Sequence, residues 1–221
     1  MRNVKAVLLL IMLFCIQNLK SQNLLAPEKV FDLYFNAFVK SDNESLKELN
    51  SYLINFLGKD NVHRTNAAEN YSTMVESYTN IFLGNLSGDM AAACKTEARN
   101  YFGALVNNFK NAQYNIKSIK PIHDDKKETM AFSEVVFEVR MKVPSGISDV
   151  VIGDTNKIGA EEMKKYLQDL ATRLKEADKM VSVEQKFNLY QMKAGRDIYY
   201  WNGGPEELSW KLSEFYLKNI N

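Results

Sequence analysis

The spacing of the apolar residues changes once along this chain, and that change is the strongest constraint on its fold. From about residue 27 to residue 109, large apolar side chains recur every three or four positions, which is the period of an amphipathic helix. From residue 111 onward most apolar residues alternate with polar ones, as they do in half-buried strands. We therefore predict an α+β fold. Its helical N-terminal half should pack on a curved, mainly antiparallel sheet of about four strands, and a C-terminal helix should close the chain.

The helical half begins at Pro27, a residue that suits the first turn of a helix. Its apolar residues fall on one side of the predicted helix: Val30, Phe31, Tyr34, Phe35 and Phe38. The segment Ser41-Asp42-Asn43 should end this helix and cap a second one, which begins near Glu44 and runs to Gly58. A longer helical region, from about Tyr71 to Phe109, is expected to break at the sequence GNLSGD.

Four segments of the second half are predicted strands: AQYNIKSIKPI, TMAFSEVVFEVRMKV, MVSVEQKFNLYQMK and IYYW. The first should place Tyr114, Ile116 and Ile122 on one face. The second gathers nearly all of its apolar residues on one face and leaves a mixed face opposite, which is typical of an antiparallel sheet. An amphipathic helix, AEEMKKYLQDLATRLKEADK, separates the second strand from the third, and PEELSWKLSEFYLKNI is predicted to form the last helix.

The first 21 residues have the composition of a signal peptide. Arg2 and Lys5 precede an apolar run of about eleven residues, whereas a membrane-spanning helix needs roughly twenty. We therefore divide the chain into a signal peptide, 1–21, and a single α+β domain, 22–221, that is exported to a periplasmic or extracellular location. The alternative is a lipoprotein anchored through Cys15. It is disfavoured because the large residues Met12, Leu13 and Phe14 precede that cysteine.

Composition restricts the possible partners of the exported domain. Loss of Arg2, Lys5 and Lys20 with the signal peptide changes the formal charge from +1 to about −2, which argues against nucleic acid as a partner. No later stretch is apolar for long enough to predict a transmembrane helix. Cys94 would be the only cysteine left, so no intrachain disulfide is expected, and its small-residue helical setting favours burial.

Motifs for cofactor or metal chemistry are weak. His123, Asp124 and Asp125 could contribute metal ligands, but adjacent residues rarely share one ion, and a solvated turn is the favoured interpretation. There is no nucleophile elbow and no phosphate-binding loop. We predict neither a metal nor a cofactor.

Glu134 is the one candidate catalytic residue, because it shares a strand face with Glu138 and Arg140. If that face lines a cavity, desolvation would raise the pKa of Glu134 towards the range of a general base. If the face meets water, these are ordinary solvent-side charges, which is the interpretation we favour.

The candidate ligand-binding residues are Tyr190, Tyr199, Trp201 and Arg140. Three of these are aromatic, and Tyr199 and Trp201 lie in the sequence IYYWNGGPEELSW. That sequence is fully explained as a joint between a strand and a helix, with Gly203 and Gly204 turning the chain and Pro205 entering the helix. We therefore favour a core position for Tyr199 and Trp201 over a binding platform.

The segment VFDLYFNAFVKSDNESLKEL, residues 30–49, resembles the opening of the nuclear-transport-factor-2-like superfamily, which includes ketosteroid-isomerase-like and SnoaL-like proteins. In that superfamily an aromatic-rich first helix, a short turn and a second helix cover a cone-shaped sheet. The resemblance implies a cavity that serves enzymes in some members and binding proteins in others. The enzymes place a carboxylate base opposite a hydroxyl or acid donor, and the resemblance assigns neither role to a residue of this chain.

The leading functional hypothesis is an exported, non-enzymatic module that binds a small ligand or a protein, because no convincing catalytic group stands out. The first alternative is a small isomerase- or hydrolase-like enzyme with a cavity carboxylate such as Glu134. The second is a structural partner in an envelope assembly, such as a homodimer formed through the open sheet face. Apolar residues exposed on that face would favour the second alternative.

Overall fold

A computed structural model describes residues 24–62, 67–123, 131–145, 158–194 and 196–220. The predicted signal peptide lies outside these residues, as do Asp124 and Asp125. Along the described chain the helices are α1 Pro27–Phe38, α2 Asn43–Leu57, α3 Ala67–Leu83, α4 Gly88–Lys110, α5 Ala160–Lys175 and α6 Glu206–Asn219. The strands are β1 Gln113–His123, β2 Ala131–Val143, β3 Lys179–Ala194 and β4 Asp197–Trp201, and a short 3-10 turn covers Lys59–Asn61. None of the described helices is long and apolar enough to cross a membrane.

The first two helices follow the sequence prediction closely. Pro27 opens α1, and the predicted apolar stripe of this helix is buried along its whole length. Asp42 caps α2, since its carboxylate accepts a hydrogen bond of 2.9 Å from the backbone N–H of Ser45. Gly58 ends α2 with a φ of 79°, a conformation that glycine adopts without steric cost. The break predicted at GNLSGD separates α3 from α4.

The four strands form one antiparallel sheet in the order β1-β2-β3-β4, so the α+β prediction is confirmed. A register shift between Ile116 and Ser118 interrupts the pairing of β1 with β2. Beyond this shift the alternation of β1 is reversed. Ile119 therefore lies opposite Val135, which faces the core, whereas Ile122 lies opposite Phe132 on the outer face of the sheet. The expectation that Tyr114, Ile116 and Ile122 share one face is therefore wrong.

The core lies between the inner face of the sheet and the helices. On β2 and β3 this inner face carries Val135, Phe137, Val139, Phe187 and Leu189, each no more than 1% exposed. The Phe31 ring of α1 meets it, with ring centroids 4.6 Å from Phe137 and 5.9 Å from Phe187. Apolar residues of α4 and α6 complete the same cluster. Burial of these large side chains is the main source of stability.

A second, smaller apolar cluster joins α4 to α5. It consists of Cys94, Ala98, Met163 and Leu167, all fully or almost fully buried. Burial raises the pKa of the Cys94 thiol, which keeps it protonated and unreactive. The sequence interpretation of Cys94 as a buried free cysteine is confirmed.

The joint between β4 and α6 is held by the hydroxyl group of Tyr34. This buried hydroxyl accepts a hydrogen bond of 2.9 Å from the N–H of Asn202 and donates one of 3.0 Å to the carbonyl of the same residue. The edge of β4 is covered in a similar way, since Tyr52 accepts a 2.8 Å hydrogen bond from the N–H of Tyr200. The IYYWNGGPEELSW segment is thus a strand-to-helix joint, as predicted.

Candidate functional site

Glu134, the candidate catalytic residue, lies on the outer face of the sheet. Both of its carboxylate oxygens are 3.1 Å from the ammonium nitrogen of Lys186, across the β2–β3 pair, and its side chain retains 22% exposure. This is an ion pair on the outer face of the sheet, where the side chain of Lys186 is 60% exposed. The solvent-side interpretation of Glu134 agrees with this geometry.

Arg140 takes part in a second charge network on the same face. Its guanidinium lies 2.9 Å from Glu138, which also accepts hydrogen bonds from Lys117 and Ser182. These donors, Ser182 first, lower the pKa of Glu138 to about 2. Arg140 is thus an exposed partner of Glu138, and the face is built to meet water.

The lowered pKa of Glu138 gives a prediction about acid stability. A carboxylate whose pKa is depressed in the folded state stabilises the protein above its ordinary pKa of 4.5, and this stabilisation disappears as the pH falls towards 2. We therefore expect Glu138→Gln to lower the free energy of unfolding at pH 7. The difference from the unmodified protein should shrink steadily between pH 4.5 and pH 2 in urea unfolding experiments.

Glu184 offers a matched control because it lies directly opposite Glu138 on β3. Like charges in opposite positions of a sheet repel each other, so Glu184→Gln should be neutral or slightly stabilising at pH 7. Equal destabilisation by both substitutions would contradict the account of the Glu138 network.

Tyr190 and Trp201 are brought together, but at one end of the sheet and without Arg140. They are direct partners in the β3–β4 pairing, and Phe132 lies opposite Tyr190 on β2. Each neighbouring pair of rings has centroids 6.1 Å apart. We call Phe132, Tyr190 and Trp201 the aromatic row, and each of its members is half-buried.

Tyr199 is not available to a ligand. It is 1% exposed, and its ring stacks on Phe56 of α2 at 4.5 Å and lies 6.0 Å from Tyr52. The assignment of Tyr199 as a ligand-binding residue is therefore wrong, and its favoured position in the core is the observed one. The reason is that α2 covers this end of β4, which the alternation of β4 alone does not reveal.

A tyrosine–carboxylate pair that the sequence did not suggest lies between α1 and β1. Tyr114 donates a hydrogen bond of 2.6 Å to Asp32. The pKa of Tyr114 is strongly raised, mainly because the side chain is partly buried and also because the Asp32 carboxylate is close. The Phe35 ring, at 4.2 Å, and the Phe31 ring, at 5.6 Å, pack against Tyr114. The hydrogen bond and the ring contacts tie α1 to the sheet, and neither Tyr114 nor Asp32 lines a cavity found among the described residues.

An apolar groove lies between three of the described helices. It encloses about 300 Å³ between the end of α1, one face of α3 and the first turns of α6. We call it the helical groove, and its lining residues are Phe38, Thr73, Met74, Ser77, Tyr78, Glu206, Ser209 and Trp210.

The walls of the helical groove are fixed by contacts within the protein. Trp210 packs edge to face on Tyr78, with ring centroids 5.6 Å apart, yet 53% of Trp210 remains exposed. The Tyr78 hydroxyl shares a short hydrogen bond with Ser213, and Ser209 donates one of 2.8 Å to the carbonyl of Phe38. The aromatic walls are therefore in place before any ligand arrives.

Sequence reasoning missed the groove because its two sides, on α3 and α6, are about 130 residues apart. One feature of the sequence did point to the groove. Trp210 lies off the apolar stripe of the last helix, which runs through Leu208, Leu212, Phe215 and Tyr216. A large aromatic side chain outside the buried stripe of an amphipathic helix is a reason to look for a partner or a ligand.

Two other cavities have the opposite character. One, of about 90 Å³, is lined by polar groups that include Arg140, Lys142 and Lys175. The other, of about 440 Å³, is more open and carries Arg99 as well as Lys175. Neither has a carboxylate among its lining residues. Both are polar and basic, in contrast to the helical groove.

Comparison with known proteins gives no relative from which a site could be transferred: no protein-family model, no curated protein and no solved structure matches the chain. Within the described residues, no three His, Cys, Asp or Glu side chains converge where a metal ion could bind. The function must therefore be argued from the groove and its surroundings.

Proposed function

We propose that this chain is an exported, non-enzymatic binding protein whose helical groove holds a small, mainly apolar ligand. The observation that carries the proposal is the half-exposed Trp210 at the wall of a preformed groove of about 300 Å³. That volume is at the lower end of the range for small-molecule sites, which are concave and mostly apolar with a few polar groups. Ser77 and Thr73 supply such polar groups here.

Trp210 would supply much of the free energy of binding. An exposed indole in water forgoes the favourable burial of its large apolar surface, and a ligand seated against it would recover part of that free energy. Tyr78, Met74 and Phe38 offer further apolar surface on the other sides. A flat or compact apolar molecule in the groove would therefore lose its contact with water and gain contacts with these side chains on several sides.

Binding without catalysis is favoured by the setting of the one ionisable carboxylate in the groove. Glu206 is exposed at the start of α6. A general acid or base is usually held at a fixed position inside its site by hydrogen-bond partners, and no described residue donates a hydrogen bond to this exposed carboxylate.

The open face of the sheet gives little support to a homodimer or an assembly role. Over the described strands its centre carries the Glu134–Lys186 pair and the Glu138 network instead of an apolar patch. Burying these charged groups in an interface would be unfavourable, because they would lose the free energy of their hydration.

Export and membership of the nuclear-transport-factor-2-like superfamily remain part of the proposal. Residues 1–21 have the composition of a signal peptide, and the observed α1, turn and α2 occupy the segment that carries the resemblance. In this chain the inner face of the sheet is filled by Phe31, Phe137 and Phe187, so the proposed ligand site lies between helices and outside the sheet.

The groove can be tested with the neutral fluorescent probe N-phenyl-1-naphthylamine, whose emission rises when it leaves water. We expect saturable binding by the protein. Ser77→Phe should fill the groove and weaken binding by about ten-fold or more, a difference of roughly 1.4 kcal/mol. Titration of probe fluorescence measures this effect.

Ser72→Phe is the matched control, because Ser72 lies on the same helix but lines the open basic cavity. It should leave the probe affinity within about two-fold, since surface substitutions away from a site have small effects. Equal affinity in the Ser77 and Ser72 variants, with both folded by circular dichroism, would reject the groove as the binding site.

A further inference from the structure

Among the described residues that line the helical groove, one side chain is charged, and it is negative. Of these eight residues, only Glu206 carries a charge. In the described part of the chain, Glu206 has neither an ion-pair nor a hydrogen-bond partner for its carboxylate. A ligand entering the groove therefore meets, at one end, a carboxylate that no described residue pairs with.

The nearest cation along α6 is already engaged. Lys211 pairs with Glu207 at 2.5 Å and also donates a hydrogen bond of 3.3 Å to the carbonyl of Lys186 on β3. These contacts direct its ammonium group towards β3 and Glu207, so Glu206 is left as the charge of the groove. The positive end of the α6 dipole offsets part of the charge of Glu206. Selectivity for a cation over a neutral ligand therefore also requires the aromatic walls.

The aromatic walls favour a cation as well. The negative faces of Trp, Tyr and Phe rings attract ammonium groups, and Trp is the strongest of the three. The groove has one of each, in Trp210, Tyr78 and Phe38, and the first two stand at 89° to each other. Perpendicular rings beside a carboxylate are the elements from which sites for quaternary ammonium groups are built.

The other two cavities differ from the helical groove in the charge of their lining residues. Both are lined by Lys or Arg side chains and by no carboxylate, so they would repel a cation. Among the cavities described, the helical groove alone combines an apolar interior with a negative charge.

We infer that the ligand of the helical groove is an organic cation, with an ammonium group near Glu206 and an apolar body against Trp210 and Tyr78. This inference rests on the proposed function, because it requires the groove to be a binding site. It adds the chemical class of the ligand, which the apolar character of the groove alone does not determine.

The test compares benzyltrimethylammonium with neopentylbenzene, its uncharged carbon isostere, by displacement of N-phenyl-1-naphthylamine from the protein. The two molecules have nearly the same shape, so a difference in affinity reports the charge. We expect the cation to bind at least about three-fold more tightly, the size of a partly exposed cation–π contact.

Two variants separate the contribution of Glu206 from a general charge effect. Glu206→Gln should reduce this preference by about two-fold, the contribution of a partly exposed ion pair, and should lower the affinity for the cation more than the affinity for neopentylbenzene. Glu162→Gln makes the same charge change at an exposed residue of α5, outside the groove lining, and should retain the preference. Loss of the preference in both variants would overturn the role of Glu206.

The outcomes also separate this inference from the proposed function. Equal affinity for the two molecules would overturn the cation inference and leave the groove as an apolar site. Failure of the naphthylamine probe and of both molecules to bind would overturn the proposed function together with the inference.

Discussion

Replacing Phe31 with alanine is expected to lower the free energy of unfolding by about 3–5 kcal/mol, the usual cost of removing a buried phenylalanine side chain. Phe31 is fully buried, and its ring contacts Phe35 of α1, Tyr114 of β1, Phe137 of β2 and Phe187 of β3. One side chain thus joins the first helix to three of the four strands. The loss would be a large share of the 5–15 kcal/mol that typically separates folded from unfolded domains.

Urea unfolding measures this loss, with an unchanged slope showing that the same surface is exposed on unfolding. Ile81→Ala is the control, because Ile81 is a large apolar residue that is 57% exposed on α3. It should change the stability by less than about 0.5 kcal/mol. If Phe31→Ala prevents folding, Phe31→Leu should fold with a smaller loss. A loss below about 1 kcal/mol for Phe31→Ala would show that α1 is not the main cover of the sheet.

Removing only the hydroxyl group of Tyr34, by Tyr34→Phe, should cost about 2 kcal/mol. The hydroxyl pairs with both the N–H and the carbonyl of Asn202, which is 5% exposed. Its loss leaves these two buried backbone groups without that partner, and each buried polar group left unpaired costs about 1–3 kcal/mol. Thermal or urea unfolding would measure the effect.

Tyr190→Phe makes the same chemical change at a half-buried position in the aromatic row. It should cost less than about 0.5 kcal/mol, because water can reach this hydroxyl. Equal effects at the two positions would mean that Tyr34 does not hold the joint between β4 and α6.

Local patterns in the sequence predicted most of the elements. Helix α1 follows from Pro27 and the stripe from Val30 to Phe38, and β2 follows from the alternation between Ala131 and Val143. These predictions hold because an element that buries one face needs apolar residues at its own repeat, so the spacing of the apolar residues distinguishes a helix from a strand. The strand-to-helix joint at Gly203 and Pro205 was equally local, since turn chemistry depends on adjacent residues.

The remaining features depend on contacts that no local pattern contains. The register shift after Ile116 reverses the alternation of β1, because one added residue on a strand exchanges its two faces. Tyr199 is buried by α2, which comes from a distant part of the chain. The helical groove likewise arises only when α6 packs near α3, so its two aromatic walls could not be matched from spacing.

The two tryptophans of the chain lie in different surroundings, Trp210 in the helical groove and Trp201 in the aromatic row. Fluorine NMR of protein labelled with 5-fluorotryptophan should therefore show two signals, which Trp210→Phe and Trp201→Phe assign. Titration with N-phenyl-1-naphthylamine should shift the Trp210 signal saturably and leave the Trp201 signal in place. A shift of the Trp201 signal with no change at Trp210 would contradict the central claim that the helical groove is the binding site.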